Sequence, residues 1–183
     1  MTSTPRIQPV NPPFSDALQS SFDIVMPAGI PPLNIFKTVG NNERVLSRMV
    51  RGGLLDRGSV SIAQRELVIL RACANCKAEY EWGVHVVGFA EKAGFSEAQI
   101  AATCDKALDD NLWSDEQLAL LQLVDELHET AQLGEDIWAK LRTHFSEEQM
   151  IELIILAGLY HAVSFVVNGL RVENEAFAPR FPE

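Results

Sequence analysis

Seven of the nine prolines fall in the first 32 residues (Pro5, Pro9, Pro12, Pro13, Pro27, Pro31 and Pro32), and none occurs from Leu33 to Phe177. Proline lacks a backbone N–H and breaks helix interiors, so this distribution divides the chain. Residues 1–32 read as a proline-rich arm, with a short helix near Ser15 to Phe22. Such an arm either lies on its own surface or wraps a neighbouring subunit. Residues 33–183 read as a single domain whose segments are free to run as long helices.

Helix signals fill that domain, and strand-like alternation is scarce. "NNERVLSRMVRGGLL" begins a helix after Asn41 or Asn42. "SIAQRELVILRACA" opens on Ser61, a side chain suited to an N-cap. "AEYEWGVHVVGFAEKAG" is amphipathic and stops at Gly94, and "SEAQIAATC" starts at Ser96. Ser114 with Gln117, and Ser146 with Gln149, have the spacing of capping boxes. "GEDIWAKLRTHF" lies between the last two. The expected fold is all-α, about seven or eight helices joined by short polar connectors. "SIAQRELVIL" (61–70) also reads like "EEQMIELIIL" (147–156), with Glu66 falling on Glu152. Two similar hairpins related by a pseudo-twofold would give that repeat.

The net charge of −10 disfavours phosphate backbones and anionic lipid, so neither nucleic acid nor a membrane surface is an expected partner. "MTSTPRIQPVNPPF" has no apolar core of a signal peptide, and Glu152 and His161 interrupt the apolar run "MIELIILAGLYHAVSFVV". Three cysteines argue against a disulfide scaffold. The expectation is a cytoplasmic protein.

The chemistry concentrates in "RACANCKAEYEWGVH", residues 71–85. Asn75 is the expected left-handed residue ending the first helix. Glu79 and Glu81 then fall in the first turn of the next, where the helix dipole favours acids. Cys73 and Cys76 sit at a helix tail, the end that does not lower a thiol pKa, so they are only a possible redox pair. The acid and imidazole groups are better placed. Glu81 and His85, four apart, share a helix face, with Ala78 one turn earlier. Trp82 and Tyr80 flank that face as candidate pocket walls. A carboxylate beside an imidazole can fix its tautomer and raise its basicity. Glu66, in "RELVILR", is the natural third member. A metal centre drawn from Glu66, Glu81, His85 and His161 rests on weak spacing, and no metal or cofactor is expected. His128, His144 and Cys104 carry no expected role.

Residues 64–100 resemble the core of the carboxymuconolactone decarboxylase-like family, which includes the alkylhydroperoxidase D-like proteins. The marks are Arg65-Glu66-Leu67, Glu79-Tyr80-Glu81-Trp82, His85, Ala93-Gly94-Phe95 and Ile100. With "DEQLALLQLVDEL" and "MIELIILAGLYHAVSFVVN" the resemblance extends over most of residues 33–175. It implies an all-helical fold assembling as a homo-oligomer (dimer, trimer or hexamer) around a small-molecule substrate.

At two points the sequence departs from the patterns of the family it resembles. Peroxidase members carry Cys-x-x-Cys just before the histidine, and counting back from His85 those places hold Ala78 and Glu81. Cys73 and Cys76 come five residues early, about 140° round a helix from that register. Decarboxylase members share Glu-x-x-x-His but carry a further histidine in the following helix, absent from "SEAQIAATCDKAL". His161 is the candidate to approach from elsewhere. The resemblance therefore implies catalytic Glu66, Glu81 and His85, with Tyr80, Trp82, Ala78 and His161 as the pocket. The expected chemistry is lyase-type proton transfer on a small organic acid, lactone or carbonyl compound. A peroxide reductase using Cys73 and Cys76 is the alternative, and a non-catalytic oligomeric binding module the third reading.

Overall fold

A computed structural model describes residues 4–182. Among them there are nine helices and no strand. The helices are α1 Asp16–Val25, α2 Asn34–Val39, α3 Glu43–Arg51 and α4 Ile62–Asn75. Helix α5 begins as Glu79–His85, passes through a π-helical turn at Val86–Ala90 and ends with Glu91–Ala93. Then come α6 Glu97–Ala102, α7 Asp115–Thr130, α8 Glu135–Arg142 and α9 Glu147–Leu170. Serine starts were the most reliable signal: Ser61, Ser96, Ser114 and Ser146 each close a reciprocal capping box with the glutamine three residues on. Helix α2 is not foreshadowed in the sequence, because six residues are too few to show a helical period.

Helix α4 is the axis of the bundle. Every residue from Arg65 to Cys73 is buried, because α5, α7 and α9 pack around it. The run Leu67-Val68-Ile69-Leu70 is apolar on all sides, as a fully enclosed helix requires. Each such side chain contributes roughly 1.5–3 kcal/mol on burial. Arg71 emerges from this core through a two-pronged pair with Asp125 of α7, at 2.6 and 2.8 Å. Helix α9 is long and apolar enough to cross a membrane by length and composition. Here one face packs on α4, while Ile151, Ile155 and Phe165 are exposed on the other.

The turn between α4 and α5 differs from expectation. Asn75 remains helical, Cys76 is the C-cap, and Lys77 takes the left-handed conformation at φ 55°. Asn75 instead donates to Asp125, a contact that holds it in the last helical turn. Glu152 does not mirror Glu66: its carboxylate accepts from the Ser59 backbone and hydroxyl at 2.7 and 2.6 Å, tying down the loop before α4.

The first and last described segments lie along their own bundle. The Arg6 backbone donates to Leu170, and α1 buries Leu18 and Phe22 while packing on α3. At the other end, Glu79 accepts from Asn174, Arg180 and the Phe181 backbone. The C-terminal segment passes so near α5 that a Cβ on Gly83 would run into the Pro179 carbonyl oxygen.

Candidate active site

Three helices bring four polar side chains together in the apolar interior. Glu66 comes from α4, Glu81 and His85 from α5, and Tyr160 from α9. The first three are the set expected from sequence, Glu81 and His85 by their spacing and Glu66 as an acid within an apolar run. Glu66 is wholly buried, and its two carboxylate oxygens are divided between two cations. Oε1 accepts from Arg65 Nε at 2.8 Å, and Oε2 faces His85 Nδ1 at 2.7 Å. On the far side of the imidazole, Nε2 lies 3.0 Å from the Tyr160 hydroxyl and 3.4 Å from Glu81 Oε1. Phe89 stacks on the ring at 5.3 Å, with the Arg65 guanidinium above Phe89. Phe89 belongs to the π-helical turn, which widens the helix just after the histidine.

Burial alone would depress the His85 pKa. Hydrogen bonds and charge from Glu66 and Glu81 outweigh it and push the imidazole up to about 9. At neutral pH His85 is then an imidazolium, and both its nitrogens donate. Arg65 and His85 balance Glu66 and Glu81, so the group is formally neutral, the condition for keeping such charges out of water. With Nε2–H donated to the Tyr160 oxygen, the phenol proton is free to point elsewhere. Burial, joined by the charges of Glu81 and Glu66, holds Tyr160 well above its ordinary range, so it stays protonated.

Glu81 and Tyr160 are the members of this group that line a cavity. Glu81 Oε2 is buried with no hydrogen-bond partner, a costly condition for a carboxylate oxygen. The cavity has a volume of about 690 Å³, within the roughly 300–1,000 Å³ range of small-molecule sites. Phe36, Met49, Leu54, Phe89, Leu159 and Val163 supply much of its apolar wall. Arg51 and Asp56 stand at its exposed rim. Arg51 has no carboxylate within ion-pair distance among the described residues.

The other residues singled out from sequence lie elsewhere. Tyr80 accepts from the Ile35 backbone at 3.0 Å and donates to Glu175 at 2.8 Å. Trp82 donates to Thr103 at 3.0 Å and packs against Phe181. Ala78 is the buried N-cap of α5. None of the three lines the cavity. Successive helical residues point about 100° apart, so the neighbours of Glu81 turn into the core. His161 turns from the cavity towards His128, and its place beside His85 is taken by Tyr160, one residue earlier.

Cys73 is fully buried, and burial pushes its thiol well up, with the Glu81 charge adding to the effect. Burial also raises Cys76 and Cys104, both of them half-buried. A nucleophilic thiol must be thiolate, and these environments favour the neutral form.

Residues 45–126, which include α4 and α5, match the "Carboxymuconolactone decarboxylase family". The fold is similar to that of a peroxidase-related protein from Silicibacter sp. TM1040, with TM-score 0.77, 16% identity and full coverage of both chains. A variant of the debrominase Bmp8 in complex with 2,3,4-tribromopyrrole gives TM-score 0.76 at 14% identity, covering 97% of this chain and 95% of that one. The alkylhydroperoxidase AhpD core protein from Ralstonia eutropha JMP134 gives 0.75 at 13% identity, covering 95% of each. Among curated proteins, none matches the sequence. Residues 45–126 are thus carboxymuconolactone decarboxylase-like in sequence, and the fold is similar to that of AhpD-like, peroxidase-related proteins.

Proposed function

We propose that this protein is an acid/base enzyme that moves a proton on the carbon next to the carbonyl of a small organic acid, lactone or ketone. The observation that carries this reading is the unpartnered, buried Glu81 Oε2 in the cavity wall beside a tyrosine backed by an imidazolium. Glu81 takes the proton. The electron pair of the broken C–H bond moves onto the carbonyl oxygen, where the Tyr160 O–H receives it. His85 holds the Tyr160 oxygen through Nε2–H, and Glu66 with Arg65 holds His85. Arg51 at the rim fits a substrate carboxylate. The apolar wall excludes water around the reacting carbon.

The test is solvent exchange. The protein is incubated in D2O with a panel of small oxo acids, lactones and ketones, and loss of the α-proton is followed by NMR. The reading expects catalysed exchange with at least one carboxylate-bearing member. Arg51→Ala should raise its KM about 10-fold, the worth of one charge-assisted hydrogen bond. Ligands that bind without exchange would contradict the reading and favour a binding module.

A homo-oligomer is part of the same proposal. Ile151, Ile155, Gly158, Ala162 and Phe165 are exposed along α9 at alternating spacings of three and four, the pattern of a helix seam. A second copy of this chain fits that stripe. Light scattering should report a smaller particle for Phe165→Glu than for the unsubstituted protein, and an unchanged mass would place the contact elsewhere.

A further inference from the structure

A second cluster of reactive side chains lies outside the cavity and plays no part in the proton-transfer scheme. Cys76 caps the end of α4, His128 lies near the end of α7, and His161 lies midway along α9. One ligand atom from each falls within 4.8 Å of the others. Cys76 Sγ is 3.9 Å from His128 Nδ1, which is 2.9 Å from His161 Nε2. We propose that these three residues form a binding site for a thiophilic divalent transition metal such as Zn²⁺, leaving one coordination position open.

Geometry supports this in three ways. With Zn–S near 2.3 Å and Zn–N near 2.0–2.1 Å, a tetrahedral centre separates its ligands by about 3.3 Å (N to N) and about 3.6 Å (S to N). The two separations at His128 bracket these values to within a few tenths of an ångström, and Cys76 Sγ and His161 Nε2 lie within 4.8 Å of each other. The ligands are also oriented from behind. His161 Nδ1 donates to the Ala157 carbonyl at 2.9 Å, which leaves Nε2 as the lone-pair nitrogen facing the cluster. Asn168 holds the Cys76 carbonyl at 2.8 Å, and the left-handed Lys77 turns the chain away beyond it. Finally, the donor set is selective: one thiolate and two imidazoles suit Zn²⁺ or Co²⁺ and not Mg²⁺ or Ca²⁺. His128 is exposed, so water or another exogenous donor can reach the fourth position. A bound ion would tie the end of α4 to α7 and α9 next to Tyr160, yet the site stands independently of the cavity chemistry.

The experiment uses untagged, metal-free full-length protein titrated with Co²⁺ and then Zn²⁺. One equivalent of Co²⁺ should give tetrahedral d–d bands in the visible and a thiolate-to-cobalt charge-transfer band in the near ultraviolet, and Zn²⁺ should displace it. Cys76→Ser should abolish the charge-transfer band, whereas Cys104→Ser should keep it. His128→Ala, an exposed position that does not threaten folding, should weaken Zn²⁺ binding by more than ~100-fold, beyond the ~10–100-fold effect of an outer-shell partner. No stoichiometric Co²⁺ binding, binding without a thiolate band, or unchanged affinity in His128→Ala would each overturn the proposal.

Discussion

Glu81→Gln lowers the rate of α-proton exchange by about 10²–10⁴-fold, the usual worth of a positioned general base. The substitution keeps the side chain's shape and its place in the cavity wall, so circular dichroism should be unchanged. It removes a buried carboxylate oxygen that has no hydrogen-bond partner, on a side chain that lines the cavity. Tyr160→Phe should cost about 10²–10³-fold, the worth of one donor to a developing oxyanion. The double variant should lose less than the product of the two, because base and oxyanion donor act on one transition state. Full activity in Glu81→Gln would remove Glu81 as the base whatever the cavity binds.

The second large effect is on stability. Glu66→Ala leaves the Arg65 guanidinium and the His85 imidazole without their shared carboxylate, in a region closed to water. Breaking a buried pair in this way costs about 3–5 kcal/mol. Urea unfolding should show a lower midpoint at unchanged slope. Glu66→Gln keeps an acceptor and should lose less. The pH dependence follows from the sign of the His85 shift. Its folded pKa lies above the unfolded value, so the stabilisation is complete below pH about 6.5 and is lost as pH rises through about 9. Across that window stability should fall by roughly 3 kcal/mol in the unsubstituted protein. The slope should flatten in Glu66→Ala. A Glu66→Ala protein as stable as its parent would mean that His85 is neutral in the fold.

What could be read from the sequence was mostly local. Serine caps and glutamines three residues on start four helices through short-range hydrogen bonds, so both partners are visible in one line of sequence. Glu81 and His85 were legible for the same reason: four residues on one helix make one face. Glu66 was legible because an acid inside an apolar run needs a partner. Tyr160 was not. A tyrosine on an apolar helix reads as core, and its approach to His85 depends on how α9 crosses α5. Tyr80 and Trp82 misled because adjacency in sequence is not adjacency on a helix. The same long-range packing sends His161 to Cys76 and His128, a cluster whose members lie on three separate helices. The π-helical turn that places Phe89 over His85 left no mark in the hydrophobic pattern.

In the proposed mechanism His85 is a buried imidazolium linking Glu66 to Tyr160 and the cavity. Ring nitrogen NMR over a pH series tests this most directly, with His85→Gln identifying the resonance. Both nitrogens should be protonated at neutral pH, with deprotonation near pH 9. The resonance should move when a substrate of the exchange assay is added. A neutral ring at pH 7 that titrates at or below about 6.5, as an unperturbed histidine does, would contradict the account.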